Sequence, residues 1–145
     1  MLKKEKGFTL IEILTVVVII VILASALAPR FFGRTEEARV AAAKSDIATI
    51  ELGLDAYEAD NGFYPTTEQG LESLVNPPAT QPMPANWKGP YLKKRPGNDP
   101  WGSQYIYMCP GANNANGYDL FSYGRDGKEG GVGPDADITN WSEQR

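Results

Sequence analysis

The stretch that decides the fold is "KGFTLIEILTVVVII", Lys6 to Ile20, which places one carboxylate, Glu12, inside an otherwise apolar run. Glu12 is the only charged residue between Lys6 and Arg30. As a helix, residues 7–29 would be about 35 Å long, which is enough to cross the hydrocarbon core of a bilayer. The lysines that precede the run predict a cytoplasmic N-terminus and a translocated remainder.

Three interpretations of this apolar segment compete: a single-pass anchor, a secretory signal peptide, and a retained helix that assembles with other helices. A signal peptide would be cleaved after the small residues at 24–26 or 26–28, but Pro29 follows directly and a charge lies within the run. A charge at mid-bilayer costs roughly 2.5–3.5 kcal/mol. Glu12 is therefore expected to meet a partner, unless it merely reaches the lipid headgroups.

The composition limits the chemistry that the chain can carry out. It has 145 residues, with one cysteine and no histidine. The lack of histidine removes Ser-His-Asp and Cys-His catalysis and the commonest zinc ligand, and Cys109 alone cannot form an intramolecular disulfide. Residues 8–145 carry 11 basic and 17 acidic side chains, a net charge of −6, which argues against nucleic acid as a partner.

An amphipathic pattern continues the helix beyond Pro29. The apolar residues on its predicted inner face are spaced by three and four positions: Val40, Ala43, Ile47, Ile50, Leu54 and Tyr57. Pro29 is expected to kink or locally melt the helix, because it lacks an amide donor and its ring clashes with the preceding turn. Asn61-Gly62 is expected to end the helix in a left-handed cap.

Glycine and proline divide the rest of the chain into short segments. Residues 66–75 predict a brief helix, and residues 76–87 predict a proline-rich surface loop. Three β-prone runs, at residues 91–94, 104–109 and 118–123, predict a small antiparallel sheet. These patterns together predict an α+β fold, in which a long N-terminal α-helix packs on a small antiparallel β-sheet.

The start of the apolar run resembles the class III signal of type IV pilins and pseudopilins, a GFTLIE motif at residues 7–12 after a short basic leader. The resemblance implies that a prepilin peptidase cleaves between Gly7 and Phe8 and methylates the new Phe8 amine, while the helix is retained. In a helical stack of subunits, Glu12 would then neutralise the Phe8 amine of a neighbour. At about 4 Å and an effective dielectric constant near 20, this attraction is about 4 kcal/mol before desolvation is subtracted.

Further segments are similar to the major pseudopilin family of the type II secretion system: YPTTEQGLESLV (64–75), WKGPYLKK (87–94), DPWGSQYIY (99–107) and the loop DGKEGG…DADITNW (126–141). The resemblance implies a single-pass protein of the bacterial inner membrane, with a cytoplasmic N-terminus and a periplasmic domain. It implies a homopolymer, the periplasmic pseudopilus, that assists export of folded proteins across the outer membrane. The implied partners are minor pseudopilins, an inner-membrane assembly platform, the prepilin peptidase and, before assembly, inner-membrane lipid.

The segment 124–141 is a glycine-rich acidic loop that apolar burial alone cannot fold. Calcium takes roughly six to eight oxygen ligands, but the spacing here is not that of an EF-hand, and a solvated loop would have the same composition. The family resemblance implies one calcium ion that staples this loop without a disulfide. Its implied ligands are the Asp126 and Asp135 side chains and the carbonyls of Tyr123 and Lys128, with Asp137 and Glu129 as further candidates.

The predicted organisation has three parts: a cleaved leader at 1–7, a transmembrane and polymerisation helix at 8–29, and a periplasmic pseudopilin domain at 30–145. The leading hypothesis is a non-enzymatic structural subunit of the pseudopilus. The alternative is a type IV pilin used for adhesion, motility or DNA uptake. A third class, an anchored periplasmic enzyme or calcium-dependent binding domain, is disfavoured because the sequence offers no histidine and no convergent acid–base pair.

Overall fold

A computed structural model of the chain describes residues 7–141, and the side chains of residues 26–33 are outside the described set. One α-helix, α1, extends over Leu10–Asn61. The chain divides into two compact units, Met1–Glu36 and Glu37–Arg145. The helix is therefore shared by both units, and its two halves have different surroundings.

No described residue of the first unit covers the apolar side chains at the start of α1. Every large hydrophobic residue from Phe8 to Leu23 is between 50% and 87% exposed. The helical backbone continues without interruption through Pro29. Of the two effects predicted for Pro29, local melting is wrong, because a proline removes one amide donor and the helical hydrogen bonds on either side carry the helix past it, while a kink stays a prediction. In the described part of the chain, no helix combines the length and hydropathy that a membrane crossing requires.

The second half of α1 supplies the core of the second unit. The predicted face is confirmed: Val40 packs against the core, and the residues that follow it on that face are at most 4% exposed, namely Ala43, Ile47, Ile50, Leu54 and Tyr57. The predicted end is also confirmed. The helix ends at Asn61, and Gly62, at a φ of 79°, donates its N–H to the Glu58 carbonyl at 2.7 Å.

Three short strands form an antiparallel sheet in the order β1-β2-β3: Ile106–Met108, Asp119–Ser122 and Ile138–Thr139. Tyr107 pairs with Leu120, and Phe121 pairs with Thr139. The helix-plus-sheet architecture is therefore the predicted one, and two of the three predicted strand segments contain strands. The third strand instead comes from the end of the acidic loop.

The segment at residues 91–94 is not a strand, contrary to prediction. The amides of Tyr91 and Leu92 both donate to the Leu74 carbonyl, at 2.7 and 3.1 Å. This carbonyl ends a 3-10 helix over Leu71–Leu74, the brief helix predicted within 66–75. Tyr91 and Leu92 also pack against the core cluster. The segment therefore docks against the 3-10 helix, and its tertiary contacts override a β-prone composition.

The proline-rich loop at 76–87 is a largely exposed surface loop, as predicted. It is held by one buried amide: the Gln69 side chain donates to the carbonyls of Thr80 and Pro82, at 2.8 and 2.9 Å. The Trp87 indole closes the loop by donating to the Ser73 carbonyl at 3.0 Å.

Candidate functional site

The predicted processing and assembly residues lie at the beginning of α1. Gly7 and Phe8 precede the helix, and the Phe8 side chain is 80% exposed. Thr9 and Glu12 form a reciprocal cap. The Thr9 amide and hydroxyl donate to Glu12 Oε2 at 2.8 and 3.0 Å, and the Glu12 amide donates to Thr9 Oγ1 at 3.3 Å. This arrangement is a capping box, which satisfies amides that the first helical turn leaves without a partner.

The capping box gives Glu12 a second role that the sequence interpretation missed. The Thr-x-x-Glu spacing ahead of an apolar run is itself the signature of such a cap, and it could have been recognised. The cap fixes the Glu12 carboxylate beside the backbone of Thr9, one residue from Phe8. The structure thus places the predicted assembly carboxylate next to the predicted cleavage point.

The second candidate site is the acidic loop, which joins the end of β2 to β3. Its base is tightly wound: a Cβ on Gly124 would lie 2.6 Å from the Ala136 carbonyl oxygen, and one on Gly131 would lie 2.3 Å from the Asp135 carbonyl oxygen. Both glycines also have positive φ angles, of 69° and 89°. Only glycine fits at these two points, where the two arms of the loop, residues 124–131 and 134–137, approach each other.

The predicted calcium ligands occupy this loop but have separate hydrogen-bond partners. Asp126 accepts the Lys128 amide at 3.1 Å, and Asp137 Oδ2 accepts the Gly130 amide at 3.0 Å. Asp137 Oδ1 is buried and has no partner among the described residues. Glu129 and Lys128 are exposed, and Tyr123 is half-buried with its ring centroid 5.2 Å from that of Phe121.

Asp135 is engaged by a cation that the sequence interpretation did not consider. Arg125 Nε and Nη2 donate to Asp135 Oδ1 and Oδ2, at 2.7 and 2.9 Å. The hydrogen bonds from Arg125 hold the pKa of Asp135 below its ordinary value. Within residues 7–141, no three His, Cys, Asp or Glu side chains are grouped so that they could hold a metal ion together. The structure therefore brings the predicted carboxylates into one loop without making them converge.

Two buried carboxylates elsewhere hold the sheet and its loops. Asp119, at the start of β2, is fully buried and accepts three hydrogen bonds: the Asn113 amide at 2.8 Å, the Asn113 side-chain amide at 3.0 Å and the Asn114 amide at 2.9 Å. Asp99 accepts the Trp101 and Ser103 amides at 3.0 and 2.9 Å. It also accepts the Ser122 hydroxyl at 2.6 Å. These hydrogen bonds satisfy both buried carboxylates and indicate that their role is structural.

Comparisons with known proteins agree over the length of the chain. Residues 30–141 match the family described as type II secretion system (T2SS), protein G, and residues 2–28 match the prokaryotic N-terminal methylation motif. The type II secretion system core protein G of Pseudomonas aeruginosa is 51% identical over 140 residues, covering 96% of each chain. That of Vibrio cholerae is 48% identical over 144 residues, covering 99% of this chain and 96% of the relative.

A solved structure supports the same relationship. The crystal structure of the major pseudopilin from the type 2 secretion system of enterohaemorrhagic Escherichia coli matches with a TM-score of 0.63 and 40% identity. The match covers 76% of this chain and 92% of that one. The fold described above, a helix on a three-stranded antiparallel sheet, is thus found in a protein that is also similar in sequence. This chain belongs to the type II secretion system protein G family.

Proposed function

We propose that the chain polymerises into the periplasmic pseudopilus of a type II secretion system and thereby assists export of folded proteins across the outer membrane. The chain is a structural subunit and not an enzyme. The observation that carries the proposal is the half-helix of residues 10–25, whose large apolar side chains are all at least half exposed in the isolated chain. A surface of this kind requires a lipid bilayer or other copies of the same helix to cover it.

Before assembly, the apolar half of α1 anchors the subunit in the inner membrane, with the N-terminus cytoplasmic and the second unit periplasmic. The hydropathy of residues 8–29 and the lysines of the leader support this orientation. The leader itself, residues 1–6, lies outside the described residues. Gly7 and Phe8 are exposed and non-helical, so the bond between them is accessible to a prepilin peptidase.

In the fibre, Glu12 of one subunit neutralises the Phe8 amine that cleavage creates on its neighbour. The capping box supports this pairing, because it holds the carboxylate at the helix start with one oxygen already bonded to Thr9. A preorganised carboxylate loses less conformational entropy when it binds a cation. Minor pseudopilins and an inner-membrane assembly platform are further proposed partners, which would begin and drive the polymerisation.

The test combines processing and assembly in cells that carry the complete secretion system. Mass spectrometry of the membrane-bound subunit is expected to find an N-methylated N-terminus at Phe8. Glu12→Ala is expected to leave the subunit inserted and processed but to abolish fibres and secretion. Glu37→Ala is the matched control, because Glu37 is an exposed glutamate on the same helix outside the apolar segment. It is expected to assemble normally.

Each of the two measurements can contradict a different part of this proposal. A mature protein that starts at Met1 or Pro29 would rule out pseudopilin processing. Normal fibres from Glu12→Ala would rule out the charge pairing, while leaving polymerisation itself intact.

Calcium is the proposed cofactor of the acidic loop. The donor chemistry fits, since carboxylates and backbone carbonyls are the oxygen ligands that calcium prefers, and Asp137 Oδ1 is a buried acceptor without a described partner. Asp126 and Asp135 would hold the ion, with carbonyls of Tyr123 and Lys128 and with Asp137 or Glu129 completing the shell. The bound ion would supply charge neutralisation that holds the two arms of the loop together. The carboxylates do not converge in the structure, so binding requires Asp135 to turn away from Arg125.

Chelation tests the calcium proposal. Removing calcium from the purified full chain is expected to lower the melting temperature of the second unit, and added calcium is expected to restore it. Magnesium serves as the control ion, because it demands stricter octahedral geometry and gives up its water reluctantly. An unchanged melting curve with no metal found by mass spectrometry would exclude the site.

A further inference from the structure

The Arg125–Asp135 pair joins the two arms of the acidic loop at its neck, the point where the loop leaves β2 and returns to β3. Both carboxylate oxygens of Asp135 are bonded to the guanidinium, at 2.7 and 2.9 Å. The backbone adds a second tie at the same point, because the Arg125 amide donates to the Pro134 carbonyl at 2.9 Å. The segment between the two residues, 126–134, contains four glycines and no large buried side chain. The charge pair and this backbone tie therefore hold the two arms of the loop together at its neck.

A guanidinium in this position competes with a metal ion at Asp135. A forked Arg–carboxylate contact engages both oxygens in the plane of the carboxylate, where a calcium ion would also coordinate. A divalent ion bound beside an undisplaced guanidinium would be repelled by its positive charge. The two cations cannot share Asp135 in the observed geometry.

We infer that Arg125 is an internal cation that takes the place of calcium at Asp135, so that the loop stays closed without metal and calcium must displace the guanidinium to bind. The inference rests on the proposed calcium site. It assigns Arg125 a positioning role, because the residue acts through Asp135 and would not itself coordinate the ion. In this chain, loop closure is therefore less dependent on calcium than the acidic ligands alone would make it.

The test measures two quantities on the full chain in detergent micelles: the melting temperature in the presence of a chelator, and the calcium dissociation constant by calorimetric titration. Arg125→Ala is expected to lower the metal-free melting temperature and, at the same time, to tighten calcium binding by at least about threefold. The opposite directions of the two effects are diagnostic, because a substitution that merely damages the loop would weaken both.

Lys128→Ala is the matched control. It removes the same charge from the same loop and keeps the backbone carbonyl that is a proposed calcium ligand. The Lys128 side chain is exposed, and the hydrogen bond to Asp126 comes from the backbone amide, which the substitution also keeps. Its effects on both quantities are expected to be smaller than those of Arg125→Ala. If Arg125→Ala does not fold, Arg125→Lys keeps the charge without the forked contact and is expected to shift calcium affinity in the same direction.

The possible results separate this inference from the proposals on which it rests. Calcium binding that appears only in Arg125→Ala would support the inference strongly. Unchanged or weaker calcium binding in Arg125→Ala would overturn it, and so would a Lys128→Ala effect of equal size. If neither wild type nor variant binds calcium, the calcium site and the inference fail together, while the Glu12 fibre assay still reports on polymerisation by itself.

Discussion

Asp119 offers the sharpest test of how the second unit is held together. Its carboxylate is fully buried and accepts three described hydrogen bonds, two from Asn113 and one from Asn114. No described cation is paired with it, so its charge is balanced by amide donors alone. Removing the carboxylate leaves these donors, which belong to the exposed Asn113 and the half-buried Asn114, without their acceptor.

The size of the effect follows from the number of donors left unpaired. Each buried donor without a partner costs about 1–3 kcal/mol, and the terms are not additive. Asp119→Ala is therefore expected to destabilise the second unit by about 4 kcal/mol. Asp119→Asn keeps the shape and one carbonyl acceptor but directs an NH2 group at a donor, and a loss of about 2 kcal/mol is expected. Near the melting point of a domain of this size, that loss corresponds to about 10 °C.

Thermal unfolding of the full chain, followed by near-UV circular dichroism of its tyrosines and tryptophans, measures this change. Asp126→Asn is the control, with all proteins melted in a chelator so that the proposed calcium site is empty, because Asp126 is exposed and, among the described residues, accepts the Lys128 amide alone. It is expected to change stability by less than about 0.5 kcal/mol. If Asp119→Asn melts at the same temperature as Asp126→Asn, the assignment of Asp119 as a buried anchor is wrong.

The stability difference between wild type and Asp119→Asn is also expected to depend on pH. Burial alone would raise the pKa of Asp119, but the hydrogen bonds from the Asn113 and Asn114 amides outweigh burial and lower the pKa. A lowered folded-state pKa contributes stability that is fully present above the unfolded pKa of about 3.9, and this stability is lost as the pH falls through the folded value. The difference between wild type and Asp119→Asn is thus expected to be constant near neutral pH and to shrink below about pH 4.

Two further predictions use the same melting assay. Gly111→Ala is expected to destabilise the second unit by at least about 2 kcal/mol, because its Cβ would lie 2.4 Å from Asp119 Oδ1 and 2.8 Å from the Asp119 amide nitrogen; wild-type stability would show that the loop yields easily. Tyr57→Phe is expected to be neutral or to stabilise by about 1 kcal/mol, since the buried Tyr57 hydroxyl has no partner within the described residues. Tyr107→Phe is its control, because that hydroxyl donates to the Pro65 carbonyl at 2.6 Å and its loss should destabilise. A clear loss of stability in Tyr57→Phe would reveal a bonded water or other partner.

The helix could be predicted from sequence because its determinants are local and periodic. Every buried hydrophobic side chain of α1 in the second unit lies on the face that the spacing of three and four residues selects, and Gly53, beside Leu54, is the one other buried position among the described residues of this helix. The Asn61-Gly62 end is encoded equally locally, by a residue pair that tolerates a left-handed cap. Pro29 shows the limit of such rules, because a single unfavourable residue did not outweigh the helix on both sides of it.

The sheet was harder to predict, because whether a segment forms a strand depends on the segment with which it pairs. Residues 91–94 have the composition of a strand, yet their amides are taken by the Leu74 carbonyl. Ile138–Thr139 has only two residues and no alternating pattern, but it pairs with Phe121 and Ser122. The Asn140 side chain, which accepts the Leu120 amide at 2.8 Å, extends this contact between the two segments. Sequence alone does not say which of two weak candidates finds a free edge.

The candidate sites show the same contrast between features set by local sequence and features set by distant partners. The positions of Gly7, Phe8 and Glu12 follow from a contiguous motif, and the family membership confirms a type II secretion pseudopilin over a type IV pilin. The loop carboxylates could be named as ligand candidates, but their actual partners depend on how the loop winds. Arg125 and Asp135 are ten positions apart, and only the close approach at Gly124 and Gly131 brings the two arms together. That approach depends on backbone angles that composition does not fix.

The uncovered half of α1 bears on the proposed role of Glu12 in assembly. Burying an exposed Val, Leu or Ile side chain is worth roughly 1.5–3 kcal/mol, so the apolar residues between Phe8 and Leu23 must be covered in any stable state. Lipid and a bundle of identical helices are both apolar, however, and moving the helix from one to the other gains little hydrophobic free energy. The choice between membrane and fibre then depends on the groups that differ in the two environments. In the apolar run that group is Glu12, which has only its own cap in lipid and a neighbouring amine in the proposed fibre.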